Sequence, residues 1–121
     1  MSDHKNLLVW QKAHMVALEA NRLAVSIRTR DYAPLKSQII RAAMSVPANI
    51  VEGRAQKGER EFSRFLRYAA ASAAELEYHL QVAQEMEVVH QKRCELLRNE
   101  IGYVRRMLRA LINRLDATKP P

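Results

Sequence analysis

The sequence predicts an all-α domain, an antiparallel up-down-up-down four-helix bundle. Three observations point there. Glycine stands only at positions 53, 58 and 102, and the chain interior has two prolines, Pro34 and Pro47, so little punctuates a strand-rich fold. Apolar residues recur at three- and four-residue spacings over long stretches. At 121 residues the chain suits one core and falls short of two ordinary domains. Residues 1–121 are read as a single domain, with loose ends expected at 1–5 and 117–121, the second including Lys119-Pro120-Pro121.

The first helix is expected from about Asn6 to Arg28, because Val9, Ala13, Val16, Ala20, Leu23 and Ile27 share one narrow face at ~100° per residue. Asp31-Tyr32-Ala33-Pro34 reads as a connection, with Pro34 suited to the first turn of the next helix. That second helix, about Leu35 to Gly53, carries Ile39, Ile40, Ala43, Met44, Val46, Ile50 and Val51 on one half. Pro47 lies inside it and favours a kink over a stop, since the apolar spacing continues beyond it. From Glu59 to Leu115 one helix would span ~85 Å, too long for a compact domain. The stripe Phe62, Phe65, Leu66, Ala69, Ala73, Leu76, Leu80 and Ala83 is out of phase with Leu97, Ile101, Val104, Leu108, Leu111 and Leu115. The slip places a turn near Glu87 to Gln91 and separates helices three and four.

Helix three also carries Ala70, Ala71, Ala74, Tyr78 and Val82 beside or opposite its core stripe, and helix one carries Leu18 and Val25 opposite its own. Apolar residues on both sides of a helix point to burial on both sides. Leu18, Val25, Ala71, Ala74, Tyr78 and Val82 are therefore the expected contacts of a homo-oligomer.

Twenty Lys and Arg, fourteen of them Arg, against thirteen Asp and Glu leave a net +7, a balance that favours polyanionic partners. Arg60, Arg64 and Arg67 form an outward row on helix three; Arg98, Arg105 and Arg109 form another on helix four, with Arg106 alongside. These seven are the candidate nucleic-acid contacts, for RNA or DNA. On helix two, Gln38, Arg41, Ser45, Asn49 and Glu52 make a polar stripe opposite the apolar half. With Glu75 of helix three, Arg41, Ser45, Asn49 and Glu52 either fix helix register, Arg41 facing Glu75 or Glu52, or line a cleft for a ligand.

No cluster calls for a reaction or a cofactor. His4, His14, His79 and His90 share no metal-ligand spacing, so no metal is expected. No positioned acid/base pair is evident, and the expectation is a protein that is not an enzyme. Glu52-Gly53-Arg54-Ala55-Gln56-Lys57-Gly58 lacks the Lys-Ser/Thr ending of a phosphate loop and reads as a helix-ending connection, with Gly53 free to take a left-handed cap. Cys94, the only cysteine, reads as a helix-surface or core-edge residue in a reducing compartment. The N-terminus has no secretory pattern and no apolar run approaches ~20 residues, so a cytoplasmic protein without a membrane contact is expected.

Several of these blocks carry a family pattern. Leu8-Val9-Trp10-Gln11-Lys12-Ala13, the run from Gln38 through Pro47 to Gly53, Phe62-Ser63-Arg64-Phe65-Leu66, and Ala71-Ser72-Ala73-Ala74-Glu75-Leu76-Glu77 resemble the bacterial four-helix-bundle family named for proteins encoded in intervening sequences of 23S ribosomal RNA. The resemblance implies a four-helix bundle and a ring-like homopentamer. A related branch comprises accessory proteins of diversity-generating retroelements, basic pentamers that contact a reverse transcriptase and nucleic acid. By that resemblance, RNA, DNA or a nucleic-acid-associated protein is an expected partner. Ala71 departs from the glycine the family often has before Ser, and Met44 and Val46 replace other small or branched apolar residues. The rival expectation is a structural or protein-interaction module that binds no nucleic acid, with Trp10 and the outward apolar residues serving assembly.

Overall fold

The computed structural model describes residues 4–28 and 30–117. It contains four helices, α1 Leu8–Val25, α2 Ala33–Arg54, α3 Glu59–Glu85 and α4 Gln91–Ala117, and no strand among the described residues. Each helix packs on its sequence neighbour, α4 returns to α1, and neither diagonal pair brings its backbones within 8 Å among the described residues. Short connections and a closed ring of neighbours give the antiparallel up-down-up-down bundle.

The predicted helices are all present, with shifted ends. Residues 4–6 form a 3-10 turn instead of the start of α1, tied down by Gln11, whose side-chain amide donates to the Lys5 carbonyl at 2.8 Å. α1 stops at Val25, three residues before Arg28. Ile27 is buried although it lies past the helix. Of the two ends expected to be loose, His4, Lys5 and Ala117 are in helical turns, and the rest lie outside the described residues. Pro34 sits in the first turn of α2, where its missing N–H costs no hydrogen bond. α2 then runs unbroken through the buried Pro47 to Arg54, although the Ala43 carbonyl can receive no N–H from that position.

Two turns correct the expectation for glycine. Gly53 is not a left-handed cap: it is helical and buried, and an added Cβ would stand 2.6 Å from Phe65 Cβ. Its role is to let α2 and α3 approach. Gly58 adopts the positive φ, +84°, and precedes α3. At the other end of α3, Glu87 takes φ +58° without a glycine. Its N–H donates to Gln84 O at 3.1 Å and the Val88 N–H donates to Ala83 O at 3.2 Å, the paired bonds of a Schellman ending. That turn falls where the apolar phase slips.

All six residues of the α1 stripe are buried, as are Leu66, Leu76, Leu80, Ile101, Val104 and Leu108. Each large aliphatic side chain withdrawn from water contributes about 1.5–3 kcal/mol. On α2 the buried face is rotated from the expected one. Ala42, Pro47 and Gly53 face inward, while Met44 is 49% exposed and Ile40 and Val51 are half-buried. Phe65 is also only half-buried. Cys94 is no surface residue: it is fully buried and its thiol donates to the Leu80 carbonyl at 3.3 Å. Burial pushes that thiol above the usual cysteine range, against a smaller opposing pull from Arg98.

Candidate interaction surfaces

The polar stripe of α2 does not face away from the bundle. It runs along the seam with α3, because Ala42 and Gly53 on α2 and Ala69 and Ala73 on α3 are buried beside it and bring the backbones close. Arg41 holds Glu75 in an ion pair and also donates to Gln38 Oε1, at 2.8 Å from one terminal nitrogen. Glu75 in turn lies 3.2 Å from His79 Nε2. One turn along, the hydroxyls of Ser45 and Ser72 are 2.7 Å apart, and the Asn49 amide donates to Ser45 Oγ at 3.0 Å and to its carbonyl at 2.8 Å. These groups satisfy one another across the seam between two close helices. Glu52 stays outside: it is exposed, and its side chain pairs with neither Arg41 nor any other described residue.

The two arginine rows are treated differently by their surroundings. Arg64 binds Glu61 at 2.8 Å and Tyr68 Oη at 2.7 Å, Arg67 pairs with Asp116 of α4, and Arg105 pairs with Glu77 of α3. Arg67 also donates to Ser63 Oγ at 3.0 Å, and that fully buried hydroxyl donates to Asp116 Oδ1 at 2.9 Å. Sequence periodicity had no signal for this triad, since Asp116 lies 53 residues away from Ser63. Arg98 reaches only the neutral Gln84 amide, at 2.9 Å, and Arg106 stacks on Tyr103, 4.6 Å from the ring centre. Arg60 and Arg109 are exposed and have no carboxylate partner among the described residues. Four of the seven arginines, Arg60, Arg98, Arg106 and Arg109, therefore keep an uncompensated charge.

The outward apolar set remains outside the core of the single chain. Tyr78 is 61% and Val25 57% exposed, Ala71 is exposed, and Leu18, Ala74 and Val82 are half-buried. Trp10 behaves otherwise. It packs at the edge of the core, stacked on His14 with ring centres 4.9 Å apart.

A family pattern spans almost all of these elements: residues 5–110 match the 23S rRNA-intervening sequence protein family. The chain belongs to that family. A solved structure from Bacteroides thetaiotaomicron, described as a protein of unknown function from the S23 ribosomal protein family, is similar with a TM-score of 0.81. The two chains are 24% identical over 87% of this chain and 98% of the other. At that identity the likeness speaks for the fold. No curated protein matches the chain.

The outward-facing side chains of the described residues carry charge and apolar surface. No group of three or more His, Cys, Asp or Glu among the described residues could hold a metal ion. No described helix is long and apolar enough to cross a membrane.

Proposed function

We propose that this chain is a non-enzymatic, cytoplasmic homo-oligomeric scaffold, a pentamer by its family pattern, whose arginine surfaces engage nucleic acid or a nucleoprotein partner. The observation that carries the reading is the uncompensated set Arg60, Arg98, Arg106 and Arg109 on α3 and α4 of a chain with net charge +7. Repeated around an assembly, four such charges per subunit form a positive surface that phosphates would neutralise with release of counterions. Recognition is expected through the backbone, because few aromatic side chains are available to stack on bases. The apolar residues Leu18, Val25, Ala71, Ala74, Tyr78 and Val82 supply the contacts between subunits, which also removes them from water.

A gel-shift titration with duplex RNA and duplex DNA over a range of salt tests the proposal. Binding should weaken steeply with salt, by about 0.9 in log K per log unit of salt for each duplex phosphate neutralised. The double variant Arg60→Glu, Arg109→Glu should abolish it while leaving the thermal midpoint in place. Binding absent at low salt, or unchanged by the double variant, overturns the nucleic-acid reading. The pairing of Arg64, Arg67 and Arg105 with carboxylates favours the second reading in that event, a structural or protein-interaction module.

A further inference from the structure

The seam between α1 and α4 carries an apolar surface on its outer side. It forms a groove: a cavity of about 340 Å³ lined by Leu8, Met107, Ala110 and Leu111. A second cavity, about 500 Å³, shares Met107 and Ala110 and continues to Tyr103 and Lys12. Leu8 at its mouth is 65% exposed and Tyr103 is 50% exposed, high values for large apolar side chains in a closed bundle. From Tyr103 to Arg114 the groove follows α4 for about three helical turns, roughly 17 Å. Its rim is basic. Lys12 stands on the α1 side, and Arg106 and Arg114 stand on the α4 side. Lys12 is offset by Glu100 at 2.7 Å, whereas Arg106 and Arg114 have no carboxylate partner among the described residues.

We propose that this groove receives an acidic amphipathic helix of a partner protein, its apolar stripe on Met107, Ala110 and Leu8 and its carboxylates against Arg106, Arg114 and Lys12. A straight, apolar channel parallel to two helices suits residues spaced i, i+3 or i+4, and i+7 on a third helix. Lining and charge select among the possible occupants of the groove. The residues assigned to self-assembly, Leu18, Val25, Ala71, Ala74, Tyr78 and Val82, are absent from its lining, and a nucleic acid would find an aliphatic floor with one tyrosine in place of a stacking platform. An acidic helix satisfies floor and rim together. The groove is separate from the row Arg60, Arg64 and Arg67, and only Arg106 belongs to both surfaces.

The test uses the full chain and a fluorescein-labelled synthetic peptide of about four helical turns, with leucines on one stripe and glutamates flanking it, read by fluorescence anisotropy. Its partner peptide carries lysine for every glutamate. Two variants are chosen outside the nucleic-acid rows: Ala110→Arg, which fills the floor while adding positive charge, and Arg114→Glu. The glutamate peptide should bind and the lysine peptide should not, and Ala110→Arg should weaken binding at least about tenfold despite its extra charge. Arg114→Glu should weaken it by a smaller factor. No binding, equal binding of both peptides, or tighter binding to Ala110→Arg overturns the proposal, the last exposing plain charge attraction. Displacement of the peptide by duplex RNA from wild type and Arg60→Glu, Arg109→Glu alike also overturns it. So does an Ala110→Arg protein that loses self-association, since a second copy would then be the occupant.

Discussion

The seam between α2 and α3 and the seam between α1 and α4 are built from opposite materials. Along the first, Ala42, Gly53, Ala69 and Ala73 are small enough for backbones to approach, and polar pairs from Arg41–Glu75 to Ser45–Ser72 bridge the two helices. Along the second, the large side chains of Leu8, Met107, Leu111 and Tyr103 line an open channel with a charged rim. Small residues make a bundle seam a structural joint; large residues that do not mesh leave it as a surface.

Single substitutions test how differently the two seams are built. The largest effect is expected at the tight seam. Gly53→Leu must displace the Phe65 and Phe62 side chains and should destabilise the fold by about 3 kcal/mol in a denaturant titration. Gly102 on α4 has nothing within 4 Å of an added Cβ, so Gly102→Ala should stabilise by about 1 kcal/mol through helix propensity alone. Equal responses at the two glycines would mean that α2 and α3 do not need Gly53 for their close approach. Arg41→Gln removes an ion pair whose side chains are 55% and 37% exposed, and a loss below about 1 kcal/mol is expected, smaller at high salt. Leu8→Ser in the open seam should change the thermal midpoint least, by the equivalent of about 0.5 kcal/mol or less. A large loss there would mean that the groove is part of the core.

Periodicity made most of the bundle legible. The α1 stripe, spaced at three and four residues, is buried throughout, and the phase slip located the α3–α4 turn even though Glu87 and no glycine occupies its left-handed position. Where apolar residues covered a wide arc, as on α2, the pattern could not say which edge turned inward. Met44 and Ile40 stayed near the surface while Ala42 and Pro47 went in. Size decided the matter, since alanine and glycine permit the close approach to α3. Gly53 departs from the expected cap because a helical glycine needed for contact and a turn glycine needed for φ look alike in one chain, whereas Gly58 lies in the expected connection. For the arginine rows, spacing supplied the helix face but had no information on partners from another helix, such as Asp116 for Arg67 or Glu77 for Arg105. The α1–α4 groove left no trace in either helix taken singly.

The reading of this protein as a scaffold depends on its outer apolar residues meeting further copies of the chain. Sedimentation equilibrium across a wide concentration range measures that directly. A subunit of 13.9 kDa should give a single species near five times that mass, and Tyr78→Glu with Val82→Glu should reduce it to one subunit without unfolding. A wild-type protein that stays at the mass of one chain at every concentration contradicts the account.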